Sequence, residues 1–382
     1  MADNKDKKVL NVPALRFPGF KNSWDCTILE KLSKKIGDGI HSTPSYDDDG
    51  TFYFINGNNL NRGKIVITSS TKRVSEKEAY KNNAENLEAD SILMSINGTI
   101  GNVALYNNEP IMLGKSACYI NSKDNVDKKF LFYYLQYPKT QSYFEAELTG
   151  TTIKNLSLQS IRKTKICIPT IEEQHKISHF LQKIDERIAT QNKIIEKLET
   201  LIKGIRNNII SKIKGDCIVL QDIADIYQPQ TIASTDLTED GYLVYGANGI
   251  IGKYHSFNHE KEQICITCRG NTCGTVNFTE PKSWITGNAM VINTDNYAKN
   301  VNKRYLFHYL SSINFNSIIS GSGQPQIVRQ PLAKLKLILP VLIIQNRIAE
   351  CLDAMFAKMK NEQSFLQILQ IQKSCLLSQM FI

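Results

Sequence analysis

The spacing of apolar residues alternates between two patterns along this chain. From residue 24 to 169, and again from 217 to 340, they fall in short runs rich in Ile, Val, Tyr and Phe, punctuated by Gly and Asn. Such runs predict β-strands joined by tight turns. After Pro169 and after Pro340 the pattern lengthens to a helical one. Ile177, Leu181, Ile184, Ile188, Ile195, Leu198 and Ile202, continuing to Ile205 and Ile209, alternate spacings of four and three, with polar Gln191 on the same seam. Ile348, Leu352, Met355, Met359, Leu366, Leu369, Leu376 and Met380 form a second seam, interrupted by Glu362 and Lys373. A seam of roughly 48 Å, at about 1.5 Å per residue, calls for a helical partner. Two matching seams in one chain most simply pack on each other. With a whole globular segment between them, the return helix can run antiparallel. The plainer alternative is that each helix covers only its own domain.

The second seam is the first displaced by 171 residues, and other segments recur in the same order. Gly150-Thr-Thr-Ile-Lys-Asn-Leu156, Lys165-Ile-Cys-Ile-Pro169, Gln174 and Ile177 return as Gly321-Ser-Gly-Gln-Pro-Gln-Ile327, Lys336-Leu-Ile-Leu-Pro340, Gln345 and Ile348. Phe130-Leu-Phe-Tyr-Tyr-Leu135 matches Tyr305-Leu-Phe-His-Tyr-Leu310, and Ala117-Cys-Tyr-Ile120 matches Ala289-Met-Val-Ile292. Ile92-Leu-Met-Ser-Ile-Asn-Gly98 with Gly101 matches Ile264-Cys-Ile-Thr-Cys-Arg-Gly270 with Gly274. Collinear matches of this kind mark a duplication. The expected fold class is α+β: two similar domains joined by two long helices that form an antiparallel coiled coil, with pseudo-two-fold symmetry. Residues 1–169 read as the first domain with an N-terminal arm, 170–214 as the first spacer helix, 215–340 as the second domain and 341–382 as the second spacer helix.

Charge and chemistry narrow the class. The formal net charge is +9, which favours a polyanionic partner. There is no run of eighteen apolar residues, and residues 1–8 are charged without an apolar stretch after them. The expectation is therefore no membrane span, no secretory signal and a cytoplasmic setting, in which the nine cysteines are reduced thiols.

Between the shared segments the two halves diverge. From Leu29 to Gly98 the first half carries about twenty more residues than the second does from Leu220 to Gly270. One scaffold with two sets of loops suits two readers of a split, asymmetric DNA site, since grooves recur about every 34–36 Å on one face of the duplex. The loops carry the right groups: Arg and Lys donate to guanine, Asn and Gln pair with adenine, and Gly admits a phosphate close to the backbone. The candidate DNA-binding residues of the first half are His41, Thr43, Asn58, Asn59, Arg62, Lys72, Arg73, Asn97, Thr99, Thr151, Thr152 and Lys154. Those of the second half are Gln228, Gln230, Tyr245, Asn248, Lys253, Arg269, Asn271, Asn288, Ser322, Gln324, Gln326 and Arg329.

These motifs resemble a known family, the specificity subunit of type I restriction–modification systems. Val12-Pro-Ala-Leu-Arg-Phe-Pro-Gly-Phe20 followed by Trp24 is similar to the lead-in to its first target-recognition domain. Gly98-Thr-Ile-Gly101, Gly150-Thr-Thr152 and Pro169-Thr-Ile-Glu-Glu-Gln174 are similar to its recurrent framework. The likeness covers nearly the whole chain and departs at Ile344, where the family carries an acidic residue before the glutamine. The resemblance implies a DNA-reading subunit without its own chemistry, each recognition domain taking half of a bipartite site and the helices fixing the gap. It implies two modification (methyltransferase) subunits docked on the helices, joined by the restriction translocase and nuclease. S-adenosylmethionine, ATP and Mg²⁺ would belong to those partners, and this chain would hold no cofactor.

Rival chemistries fit the residues poorly. Gly57-Asn-Asn-Leu-Asn-Arg-Gly63-Lys64-Ile65 imitates a phosphate-binding P-loop but has five residues between the glycines, and Ile65 lacks a Mg²⁺-holding hydroxyl. His175 and His179 have the spacing of a zinc pair without the adjacent glutamate. Cys265, Cys268 and Cys273, near His255 and His259, align with an apolar strand of the first half and read as core thiols. Asp47-Asp-Asp49 reads as a solvated acidic turn. A nuclease centre at Glu260 and Glu280-Pro-Lys282 would put proline inside its carrier strand. A stand-alone metal-dependent nuclease and a coiled-coil scaffold with two protein-binding heads are the alternatives carried forward.

Overall fold

The structure, a computed structural model, describes residues 11–82, 84–150, 154–247, 249–321 and 323–382. It divides into two units, residues 1–190 with 366–382 and residues 191–365. Each unit holds one stretch of the first long helix, Ile171–Lys212, and one of the second, Leu342–Met380. No helix among the described residues is long and apolar enough to cross a membrane.

In the first unit, strand Asp25–Ile28 pairs antiparallel with Lys165–Ile168, the strand that ends at Pro169. A four-stranded antiparallel sheet follows the order Ser33–Asp38, Ala117–Ser122, Ile92–Ser95, Val103–Leu105. A smaller sheet sets Phe52–Ile55 antiparallel to Arg73–Val74 and parallel to Ile111–Leu113. Ile55, Ile111 and Leu113 of the smaller sheet share one cluster with Leu93 and Tyr119 of the larger, while Phe52, Phe54 and Met112 pack with Val74 and Ala79 in another. Helix Lys128–Leu135 closes the other face of the larger sheet, packing Phe130 and Tyr134 with Trp24 and Phe381.

The second unit repeats this plan strand for strand. Asp216–Val219 pairs with Lys336–Leu339. The larger sheet runs Asp225–Tyr227, Ala289–Asn293, Ile264–Thr267, Val276–Phe278. The smaller sheet again has one antiparallel and one parallel pairing, Tyr242–Gly246 with Gly249–Tyr254 and with Trp284–Ile285. The extra residues of the first unit lie between Phe52–Ile55 and the chain's return to the larger sheet at Ile92. There they form the hairpin Leu60–Asn61/Lys64–Ile65 and helix Glu76–Lys81. In the second unit only two residues separate the corresponding strands, which pair antiparallel. The P-loop-like segment is that inserted hairpin, and its turn residues Arg62 and Gly63 both take positive φ, at 48° and 81°. Two such residues make the reverse turn that matches strand twist.

The duplicated residues do the same structural work twice. Gln174, buried at the start of the first long helix, donates from Nε2 to the Pro169 carbonyl (2.9 Å) and accepts at Oε1 from the Asp127 N–H (3.0 Å). Gln345 donates to the Pro340 (2.8 Å) and Asn300 (2.9 Å) carbonyls and accepts from the Asn302 N–H (2.8 Å). Asp127 and Asn302 are in turn the N-caps of the aromatic helices Lys128–Leu135 and Lys303–Leu310. The Tyr134 hydroxyl accepts from the Cys167 N–H and the Tyr309 hydroxyl from the Ile338 N–H, at 3.1 and 3.0 Å. One departure has a cause. Glu173 is buried and takes a bidentate pair from Arg16 of the N-terminal arm, at 2.7 Å on both oxygens. Its counterpart Ile344 is exposed.

The helical seams are on the inward faces. Ile177, Leu181, Ile184, Ile195, Ile202, Leu352 and Leu369 are buried, and Ile188, Leu198, Ile348, Met355, Met359, Leu366 and Leu376 are half-buried. In the first unit Ile177 and Leu181 share a core with Leu377 and Met380, while Asp185, further along, pairs with Lys373, further back, at 2.7 Å. The two stretches therefore run antiparallel. In the second unit the polar interruptions meet: Gln191 Nε2 donates to Glu362 Oε2 (2.5 Å) and to the Glu362 carbonyl (3.1 Å).

The cysteine expectation needs one correction. Cys26 and Cys167 face each other across the paired strands and are disulfide-bonded, because strand register alone brings them together. Cys118, Cys217, Cys265, Cys268, Cys273, Cys351 and Cys375 are free.

Two outcomes test this account. Replacing Gln345 with alanine strands two carbonyls and one N–H, and is expected to cost about 2 kcal/mol, or roughly thirtyfold faster hydrogen exchange at the Asn302 amide. Unchanged exchange would show that the lock carries no weight. His308 is fully buried, and burial holds its pKa below the ordinary histidine value against the pull of Asp353, 2.7 Å away. Below about pH 6.5 the unfolded chain thus takes up a proton that the folded unit refuses, and stability falls as pH drops. His308→Phe should flatten the fall in melting temperature between about pH 6.5 and 5, and an equal fall in both proteins would contradict the assignment.

Candidate nucleic-acid interface

In each unit a backbone scaffold brings two sequence-distant glycine segments side by side. In the first, the Ile96 N–H donates to the Ser116 carbonyl and the Leu156 N–H to the Ile96 carbonyl, both at 2.9 Å. Asn97 then bridges to Asn155, and Asn155 to Thr149. In the second, the Cys268 N–H donates to the Asn288 carbonyl and the Ile327 N–H to the Cys268 carbonyl, both at 3.0 Å. Arg269 bridges to Gln326, and the Gly270 N–H donates to the Pro325 carbonyl (3.0 Å). The recurrent glycines make these turns possible: Gly98 and Gly101, like Gly270 and Gly274, have φ between 73° and 91°, where a Cβ is disfavoured.

What projects from the matched turns differs. The first unit presents exposed Thr99 and Lys154 with half-exposed Asn97. The Asn56–Asn59 turn joins them through Ser116, whose hydroxyl accepts from the Gly57 N–H (2.9 Å) and donates to Asn56 Oδ1 (2.8 Å), leaving Asn58 exposed. Arg62 lines a cleft of about 320 Å³ with Gly101 and Asn102. The second unit presents Arg269, Asn271, Asn288, Gln324 and Gln326, all exposed. Gln228 adjoins them, its amide engaged by Cys268 Sγ and the Gly287 carbonyl at 3.1 Å each.

Other candidate residues sit elsewhere. His41, Thr43, Lys72 and Arg73 form a second group around the smaller sheet of the first unit. Arg73 lies over the Tyr53 ring (5.1 Å), Lys72 over Tyr46 (5.9 Å), and His41 Nε2 is 2.7 Å from Asp38. Tyr46 and Tyr53 were not singled out from the sequence; the pairing of Tyr53 opposite Arg73 is a cross-strand relation that only the register reveals. Lys253 pairs with Asp240 at 3.7 Å, and the Gln230 carbonyl receives the Trp284 indole N–H.

Three candidates serve the scaffold. Tyr245 is 5% exposed in a core cluster, and its hydroxyl accepts from the Glu280 N–H. Asn59 spans its loop, accepting from the Asn56 N–H and donating to the Val66 carbonyl. Arg329 Nε donates to the Ile226 carbonyl (2.6 Å), as Arg162 does to the matching Ile36 carbonyl (3.0 Å). Thr151, Thr152, Asn248 and Ser322 lie outside the described residues.

Among the described residues no group of three or more His, Cys, Asp or Glu is placed to hold a metal ion. Cys265 is buried in its strand, and burial pushes its thiol up to about 12. His175 is exposed, 3.9 Å from Asp127.

The chain is thus a duplicated module, with one strand framework presenting two different sets of hydrogen-bonding loops. A family model for the type I restriction modification DNA specificity domain matches residues 28–200 and again 217–370, so each copy of the module is one such domain. The chain belongs to the type I restriction–modification DNA specificity family. The type I restriction enzyme EcoprrI specificity subunit of Escherichia coli is 25% identical over 309 residues, 75% of each chain. The crystal structure of a type I S subunit from M. genitalium covers 97% of this chain and 99% of its own, with TM-score 0.61 and 19% identity. A chain from a structure concerned with complex assembly and conformational transition of the type I R-M system covers 97% and 99%, with TM-score 0.56 and 16% identity.

The two kinds of loop residue should separate in binding. Arg269→Ala should relax base choice at one position, by about 1–3 kcal/mol of discrimination, whereas Lys154→Ala should weaken all duplexes alike. Competition with single-base variants of the preferred duplex reads both effects, and loss of neither would remove these residues from the interface.

Proposed function

We propose that this chain is the DNA-reading, non-catalytic subunit of a type I restriction–modification complex, and that its two domains read the halves of one bipartite, asymmetric site. The observation that carries this is the pairing of matched scaffolds with unmatched side chains: Asn97, Thr99 and Lys154 in one unit, and Arg269, Asn271, Gln324 and Gln326 in the other. Identical readers would favour a palindrome, whereas dissimilar ones favour a split site of two different sequences.

In this reading the long helices pair as a coiled coil and set the gap between half-sites. They also dock two methyltransferase subunits, with the restriction translocase and nuclease joining that assembly. S-adenosylmethionine, ATP and Mg²⁺ are held by those partners, and the complex works on DNA in the cytoplasm. Apolar residues off the seams support docking on the helices: Ile194, Leu201, Phe365, Ile368 and Ile371 are 39–69% exposed, more greasy surface than a solvated helix needs.

Co-expression with a type I methyltransferase subunit, followed by mapping of methylated adenines, tests the reading. One asymmetric motif with a fixed gap is expected, and exchanging the Arg269–Thr275 loop should change one half only. Methylation independent of this chain, or a palindromic motif, would overturn it. Binding of the complex to duplex should also weaken linearly with log salt, by about 0.9 log units per neutralised phosphate and per decade of salt; a flat dependence would favour the protein-scaffold reading.

A further inference from the structure

The second unit contains a cleft of about 440 Å³ between the first long helix and the turns around Gly274 and Asn314. Lys203, Arg206 and Asn207 line it from the helix, and Thr275, Ser311 and Ser312 from the opposite wall. No carboxylate lines it. Arg206 is half-buried, and its Nε is buried with no hydrogen-bond partner. The Asp353 carboxylate is taken by Arg304 and His308. Burial accordingly pulls the Arg206 pKa down with nothing to offset it.

The duplication shows that this arginine is not part of the shared framework. The residue 171 positions on is Leu377, buried in the core of the first unit. The first unit's cleft beside Gly101 also contains a helix cation, Lys373, but Asp185 neutralises it at 2.7 Å and Gln136 accepts a further bond from it. A desolvated guanidinium without a counter-charge is costly, and its rigid fork of donors matches the oxygens of a phosphate.

We propose that Arg206, assisted by Lys203, binds a phosphate group in this cleft. A duplex lying on the Arg269–Thr275 loop brings a backbone phosphodiester within reach, because that loop ends at the Gly274 turn that borders the cleft. This source of the phosphate rests on the DNA-reading function proposed above. A free phosphate monoester offers the same oxygens.

The test uses the full chain with Arg206→Leu, which restores the residue type of the matching position, Arg206→Lys and Lys203→Ala. Duplex affinity is measured against salt, and melting temperature against inorganic phosphate at constant ionic strength. For a backbone phosphate, Arg206→Leu shallows the salt slope by about one and weakens related and unrelated duplexes equally, roughly eightfold at 0.1 M salt. Lys203→Ala, exposed and without structural load, gives a smaller loss in the same sense, and Arg206→Lys retains most of the slope. If inorganic phosphate raises the melting temperature of the native chain but not of Arg206→Leu, while duplex slopes coincide, the site stands with a free phosphate as its ligand. Coincident slopes together with no phosphate-dependent difference overturn the proposal and leave the DNA reading intact. If neither the native chain nor its complex with the methyltransferase subunit binds duplex, the DNA reading fails and the phosphate arm alone decides this site.

Discussion

Each half of this protein depends on one buried primary amide. Gln174 and Gln345 sit where three elements converge: the last strand, the cap of the aromatic helix, and the first turn of a long helix. An amide buried there without partners would cost a few kcal/mol, so its bonds fix the three elements together or not at all. The N-caps add a second tie. Asp127 Oδ2 receives the Ser178 hydroxyl at 2.6 Å, and Asn302 donates to Asn346 Oδ1 at 2.8 Å. A long helix that begins at such a junction leaves each domain in a direction set by hydrogen bonds rather than by a loop.

Variation is tolerated where these bonds are not. The twenty or so extra residues of the first unit enter as a hairpin and a short helix beside the smaller sheet, without disturbing the parallel pairing of Phe52–Ile55 with Ile111–Leu113. The glycine turns behave alike. Gly98 and Gly270 keep the same backbone shape, while Asn97 and Arg269 before them offer different donors. Side chains at these turns can therefore differ on a fixed backbone, whereas buried Tyr245 and the bonds of Asn59 and Arg329 to main-chain groups hold the backbone itself.

The repeat, the strand-then-helix order and the inward seams were legible in the sequence because duplication prints a framework twice and burial gives it a period. Every named seam position is buried or half-buried. Less legible was which polar loop residue faces solvent, since a tyrosine after three apolar residues and a tyrosine at a turn look alike in one dimension. The Cys26–Cys167 bond and the cation–ring pairs on Tyr46 and Tyr53 depend on strand register, which period-two patterns leave open by whole steps. Gln174 and Gln345 were visible as a repeat, but their role required the coordinates of the carbonyls they hold.

The polar breaks in the seams show how such a helix pair resists sliding. A purely apolar seam can shift by a heptad at small cost, whereas a buried polar pair cannot. Gln191 has its partner only at Glu362, and Lys373 has Asp185 and Gln136 only in the observed register. Displacing either stretch would bury a charge or an amide without its partner. The breaks that weaken the seam as a hydrophobic surface thus give it a single register, in each unit separately and by different residues.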